Sequence, residues 1–207
     1  ELLVEKMDFM FPNVTYETSR EIPEIYGKFL CDLFDAWGEE DNPRVKVRIL
    51  ESTLRLLVGQ ESILSTSGPI VPDYETITIS SAGDLGPDDA LRSAHPSFLV
   101  TGKTVFNTTL HELLQLPVFE IFHEATTKLP PACEKCCWQE ICKGGHILHR
   151  YKHENGFDNP SLMCLALKQF YTQVARYVLK QGITEDQLIQ LLVTNKSKDS
   201  NIYAFSS

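Results

Sequence analysis

Four cysteines, Cys133, Cys136, Cys142 and Cys164, stand in the order Cys-x2-Cys-x5-Cys-x21-Cys. Two thiolates two residues apart on a tight turn can grip one ion or one corner of a cluster. The spacing therefore ties a long, glycine-containing segment to one centre, whatever the rest of the chain folds into. A structural zinc site usually uses two short-spaced pairs, and here the second half is not a pair. From spacing alone three readings stay open: zinc, an iron–sulfur cluster, and unligated core cysteines. Cys137 points elsewhere in a tight knuckle, and Cys31 lies in an amphipathic stretch. Both are expected to be packed thiols.

The surroundings favour bound thiolates. Asp158-Asn159-Pro160 predicts a helix start, with a capping side chain followed by proline in the first turn. Cys164 then falls in the first turns of that helix, where the partial positive charge favours an anionic sulfur. Gly144-Gly145 lets backbone N–H groups approach sulfur closely.

The 207 residues carry a net charge of −9. A nucleic-acid binder usually presents a basic surface, so that partner class is not expected; residues 143–152 are locally basic, but the acidic balance suits a cationic peptide at least as well. No apolar run is long enough to span a bilayer and no signal-peptide pattern opens the chain, so no membrane partner and a reducing, cytoplasmic location are expected. The apolar stretch 7–11, close to Glu1, reads like the interior of a domain. A fragment or an isolated half of a larger protein is expected.

Along the chain, 7–11 reads as a short buried strand and 23–37 as an amphipathic helix. A strand at 45–49 and a short helix stopped by Gly59 follow. The order strand, helix, strand, helix suggests a βαβα unit with parallel pairing. Residues 65–73 read as a linker. Ile77 and Ile79 predict a strand whose partner holds Val105 and Phe106. Thr109 and Glu112 fit a capping box, Pro117 opens a helix, and Thr184 with Gln187 caps a last one before a polar tail. The domains expected are 1–64, then the 65–73 linker, 74–182, and a C-terminal helix and tail at 183–207.

The cysteine pattern with Trp138 inside it resembles the outer auxiliary [4Fe–4S] site of SPASM domains. So do the run from Cys142-Lys143-Gly144-Gly145-His146 to His149-Arg150-Tyr151 and the run Asn155-Gly156-Phe157-Asp158-Asn159-Pro160-Ser161. The motif match covers about 130–182 and looks like the subgroup that matures ribosomal peptides, including enzymes that install cyclophane crosslinks. Residues 1–60 resemble, more weakly, the end of a partial radical SAM barrel. The resemblance implies an α+β fold: the C-terminal part of a partial (β/α)6 radical SAM barrel followed by a SPASM-type iron–sulfur domain. It implies that Cys133, Cys136, Cys142 and Cys164 ligate one [4Fe–4S] cluster. It also implies a complete enzyme that uses S-adenosyl-L-methionine (SAM) and a second cluster, with a precursor peptide and an electron donor as partners.

Departures from the family pattern narrow this. The Cys-x3-Cys-x2-Cys motif that binds the SAM cluster is absent from the sequence, so this chain alone is expected to be inactive. Asp88 and His146 stand where an inner auxiliary cluster would take cysteines, so that cluster is expected to be lost, the alternative being noncysteine ligation by Asp88 or His146. The alternative is a zinc-stabilised protein-interaction module without a redox role. His146 and His149 could contact a peptide or carry protons, but packing around the cysteine loop is the favoured reading. Arg150 could bind a carboxylate or brace Asp158 or Glu154.

Overall fold

The structure is a computed structural model that describes residues 5–19, 23–63 and 77–194. The linker expected at 65–73 and the polar tail from 195 lie outside these residues.

Two long helices organise the core. Helix α1 (Pro23–Glu40) repeats Leu30, Phe34 and Trp37 along one side, and α6 (Cys164–Lys180) answers with Phe170, Val174 and Tyr177. Phe34 meets Phe170 and Tyr177 edge-on, with ring centroids 6.2 and 5.3 Å apart. The helices come close because Gly27 has no side chain: a Cβ there would sit 2.9 Å from the Cα of Ala166. Helix α1 runs past the expected end at 37 and stops where Asp41 turns to φ 45°.

The parallel pairing expected near the N-terminus is present but short. Strand β1 (Lys6–Met7) pairs in parallel with β2 (Lys46–Val47). The buried strand expected over 7–11 is corrected: Asp8 Oδ1 accepts from the N–H of Phe9 at 3.0 Å, and Met10 is 85% exposed. The strand expected over 45–49 likewise ends early, because α2 (Arg48–Leu57) starts where β1 no longer offers partners. Gly59 follows α2 with φ 78°, as expected of its stop.

Beyond the undescribed segment, β3 (Thr78–Ile79) pairs antiparallel with β4 (Leu85–Gly86). The partner expected at 105–106 is therefore corrected. Ser80 and Asp84 close a tight turn, with the Asp84 N–H donating to Ser80 Oγ at 3.0 Å, and this brings 85–86 alongside first. The expected capping box opens α3 (Leu110–Leu114), with both reciprocal bonds between Thr109 and Glu112. Pro117 opens α4 (Pro117–Thr127). Short α5 (Gln139–Cys142) follows in the cysteine segment, and α7 (Glu185–Thr194) is capped by Thr184 and Gln187 as expected.

The main core draws Leu50 and Leu57 from α2, Ile141 from α5 and Leu188 from α7 into the α1–α6 contact. A smaller core of Leu91, Phe98, Phe122 and Phe157 packs beside it. Helices with two small two-stranded sheets make the described residues a mixed α/β arrangement. None of the described helices is long and apolar enough to cross a membrane.

Candidate metal centre

The cysteine segment is a sequence of tight turns. Pro131–Cys133 forms a single 3-10 turn, the Cys136 N–H donates back to the Cys133 carbonyl at 3.1 Å, and α5 ends on Cys142. Three left-handed residues then reverse the chain: Lys143 at φ 48°, Gly144 at 82° and Gly145 at 73°. Gly145 also approaches Ser161 so closely that a Cβ would lie 3.0 Å from the Ser161 Cβ. That contact presses the α5 end against the start of α6. Cys164 is the first residue of α6, with Met163 as its cap.

The expected helix start at Asp158-Asn159-Pro160 is corrected by this. The Asn159 side chain donates to the Arg150 carbonyl at 2.9 Å and is paired with Asn155, so it holds the loop rather than capping a helix. The helix begins four residues later, which puts Cys164 nearer the N-terminal positive end than the sequence suggests.

Cys142 and Cys133 each lie within electrostatic reach of the other cysteines of the set. Burial pushes the Cys142 thiol up to about 12, and Cys133, Cys164 and Cys136 add to that rise. Burial also raises Cys133, followed by Cys164 and Cys136, while Arg150 and Lys168 oppose it. All six cysteines are free thiols, and the exposed Cys137 contributes to none of these shifts. Burial raises Cys31 as well, and its acidic neighbours Asp35 and Asp32 lie on its own helix.

Among the described residues no group of three or more His, Cys, Asp or Glu side chains is disposed to hold a metal ion. A single zinc needs its sulfurs converged at about 2.3 Å from one point, whereas a cubane cluster spreads its thiolates over separate irons. The four cysteines supply the sulfur donors that either group takes, and Cys133, Cys136 and Cys164 lie near enough to Cys142 to raise its thiol. The fit is one of donor chemistry and neighbourhood.

Tyr171, which sequence reasoning missed, is buried and lines the same pocket as Cys142. It lies seven residues after Cys164, two helical turns along the same face, and that spacing was the available signal. Its ring packs on Trp138, the residue before α5, with centroids 5.8 Å apart.

The other expected residues hold the frame. His149 is buried, and its Nε2–H donates to the Pro12 carbonyl at 2.9 Å. Burial lowers the affinity of both His149 and His146 for a second proton. His146 Nδ1 is buried without a hydrogen-bond partner among the described residues. Arg150 is buried and donates to the carbonyls of Ala125, Lys128 and Phe157, so the braces expected at Asp158 or Glu154 are replaced by backbone. Asp88 is pushed toward its neutral form by burial, and Asp89 sits within electrostatic reach of His146.

Above the cysteine loop lies a pocket of ≈ 220 Å³. Cys142, His146, Tyr171, Asp8, Phe11 and Arg48 are among the residues that line it. Arg48 is held by Asp8 at 2.8 Å.

No protein-family model matches the chain. Over 156 residues it is 28% identical to a cysteine-type anaerobic sulfatase-maturating enzyme of Clostridium perfringens, an alignment covering 72% of this chain and 39% of that protein. The similarity is to radical SAM maturases. A serine-type anaerobic sulfatase-maturating enzyme of Bacteroides thetaiotaomicron is 25% identical over 161 residues, or 75% of this chain and 37% of that protein. The solved structure of native anSMEcpe with bound AdoMet and Kp18Cys peptide matches with a TM-score of 0.61 at 25% identity, covering 80% of this chain and 44% of that one. Polyhistidine-tagged anSMEcpe with bound AdoMet matches in fold at 22% identity, with a TM-score of 0.63 over 88% of this chain and 46% of that one. The chain thus spans about two fifths of the length of the curated relatives it matches. These relatives are sulfatase maturases, and they lend no support to the cyclophane-forming subgroup.

Proposed function

We propose that this chain is the auxiliary-cluster portion of a radical SAM maturase that modifies a protein or peptide substrate, with Cys133, Cys136, Cys142 and Cys164 as the ligands of one [4Fe–4S] cluster. The observation that carries the reading is the Cys-x2-Cys-x5-Cys-x21-Cys spacing, supported by the fold, which brings Cys133, Cys136 and Cys164 near enough to Cys142 to raise its thiol. The similarity to sulfatase maturases supports the substrate class, since one of their structures is bound to a peptide. Crosslinking of the substrate is a finer expectation that only the sequence resemblance supports.

When bound, the cluster supplies a one-electron carrier. The chain's own residues do the rest. The left-handed turn at 143–145 brings Cys142 to the foot of α6, and Cys164 presents its sulfur at the N-terminal end of that helix. Arg150 lies within electrostatic reach of Cys133 and Cys142, so it offsets part of their charge. The pocket beside Cys142 is lined by Phe11 and the neutral His146 together with the Asp8–Arg48 ion pair, a mixed apolar and polar wall that suits a peptide segment. SAM and a second cluster belong to the complete enzyme.

Anaerobic reconstitution with iron and sulfide tests the reading. A brown protein with about four irons per chain is expected for one cubane. Stoichiometric zinc that resists replacement would instead establish a zinc-stabilised interaction module. Incubated with SAM and a strong reductant, this chain alone is expected to release no 5′-deoxyadenosine above a protein-free control.

A further inference from the structure

A second cavity, of ≈ 520 Å³, is lined by the ends of α1 and α6 and by α2, and it shares no lining residue with the pocket beside Cys142. Leu54 comes from α2 and Val58 from one turn later, while Trp37 comes from α1 and Tyr177 from α6. All four are partly buried and packed against the main core. The two rings are pinned in place. The Trp37 indole N–H donates to the Val45 carbonyl at 2.9 Å, and the Tyr177 ring stands edge-on to Phe34 at 5.3 Å. With its N–H taken, Trp37 offers a ligand only carbon surface. An apolar lining with a few convergent polar groups, in a volume of about 300–1,000 Å³, is the common form of a small-molecule site.

The polar groups of this cavity are uncommitted. Among the described residues Lys46 makes no ion pair, and the Tyr177 hydroxyl and the side-chain amides of Gln60 and Gln181 have no hydrogen-bond partner. Val47 is buried, so strand alternation sends the neighbouring Lys46 to the opposite side, where it lines the cavity. Arg55 and Glu51 also line it, but they are engaged. Arg55 Nε donates to the Glu61 carbonyl at 2.9 Å, and its Nη1 lies 4.0 Å from Glu51. The uncompensated charge is therefore the ammonium of Lys46. A monoanion gains from it, whereas a dianion also feels the carboxylate of Glu51. Fixed aromatic faces beside ammonium, hydroxyl and amide donors suit a flat apolar body that ends in one carboxylate.

We propose that this cavity binds a small aromatic carboxylate, with Lys46 at the carboxylate and Trp37 and Tyr177 along the ring. The site stands independently of the cysteine centre and of the maturase reading.

The test is a titration of the isotopically labelled chain with cinnamate, followed by two-dimensional amide NMR. Cinnamamide and phenyl phosphate, ligands of the same size with no charge and with two charges, serve as comparisons. At the ordinary efficiency per atom, cinnamate is expected to bind with a Kd of about 1–5 mM. Saturable shifts are expected at Lys46, Leu54, Val58, Tyr177 and Ile183, and not at Cys142, His146 or Tyr171. Cinnamamide and phenyl phosphate are each expected to bind about tenfold more weakly. Lys46→Gln changes an exposed side chain whose strand pairs through its backbone, so the fold is kept. It is expected to weaken cinnamate about tenfold and to leave cinnamamide unchanged. Cinnamate shifts that fail to saturate, or that fall only around Cys142, overturn the site. Equal affinity for cinnamate and cinnamamide, or for cinnamate in the unmodified chain and Lys46→Gln, overturns the carboxylate assignment.

Discussion

Arg150 Nη1 donates to the carbonyl of Ala125 at 2.7 Å, and so one buried guanidinium joins the end of α4 to the loop that follows the cysteines. The same group reaches Lys128 and Phe157 at 3.1 Å each. Its charge is satisfied by backbone oxygens, and these oxygens have their lone pairs satisfied in return. Arg150→Met keeps the aliphatic bulk and removes the donor from all three carbonyls. A destabilisation of about 2–4 kcal/mol is expected, since each buried group left unsatisfied costs roughly 1–3 kcal/mol. Denaturant unfolding measures it, and a change under about 1 kcal/mol would mean that water replaces the guanidinium.

Gly145 is expected to be intolerant of alanine for two separable reasons. Its φ of 73° strains any L side chain, and the new Cβ would meet Ser161 at 3.0 Å. Gly156 shares the first problem, at φ 63°, but nothing lies within 4 Å of a Cβ there. Gly156→Ala therefore reports the conformational cost alone, about 1–2 kcal/mol. Gly145→Ala should cost more than this and should also lower metal content, because it pushes the α5 end away from α6. Equal effects at the two positions would show that the Ser161 contact does not matter.

The capping box at Thr109 and Glu112, the proline that opens α4 and the cap at Thr184 and Gln187 were legible because each depends on residues three or four apart. The start of α6 was not. Asn159 has the right chemistry for a cap, but Arg150 and Asn155 claim its side chain, and nothing local in the sequence reports that competition. The same holds for Tyr171: its ring contact with Trp138 and its place beside Cys142 in the pocket come from tertiary packing. Within the segment 130–164, Ile141, Leu148, Phe157 and Met163 are buried. They are scattered at no fixed period, so neither the helical nor the strand pattern could collect them.

His149 makes stability fall with acid. Burial depresses its folded-state pKa below the ordinary 6.5, so below that value the unfolded chain binds more protons than the folded one. Stability contributed by the neutral ring is present above pH 6.5 and is lost as pH falls toward the folded-state value. His149→Gln can still donate to the Pro12 carbonyl and does not titrate. Melting temperature between about pH 7 and 5 should therefore decline less steeply in the variant. A parallel decline in both proteins would assign the acid sensitivity to other groups.

Metal content of single cysteine variants tests the central claim most directly. Cys133, Cys136, Cys142 and Cys164 would each be changed to Ala, with Cys31→Ala and Cys137→Ala as controls, and iron and sulfide measured after identical anaerobic reconstitution. Iron should collapse in each of the first four and stay at about four per chain in both controls. Full iron retention in Cys164→Ala would contradict the four-cysteine centre, because it would remove from the site the one ligand that α6 supplies.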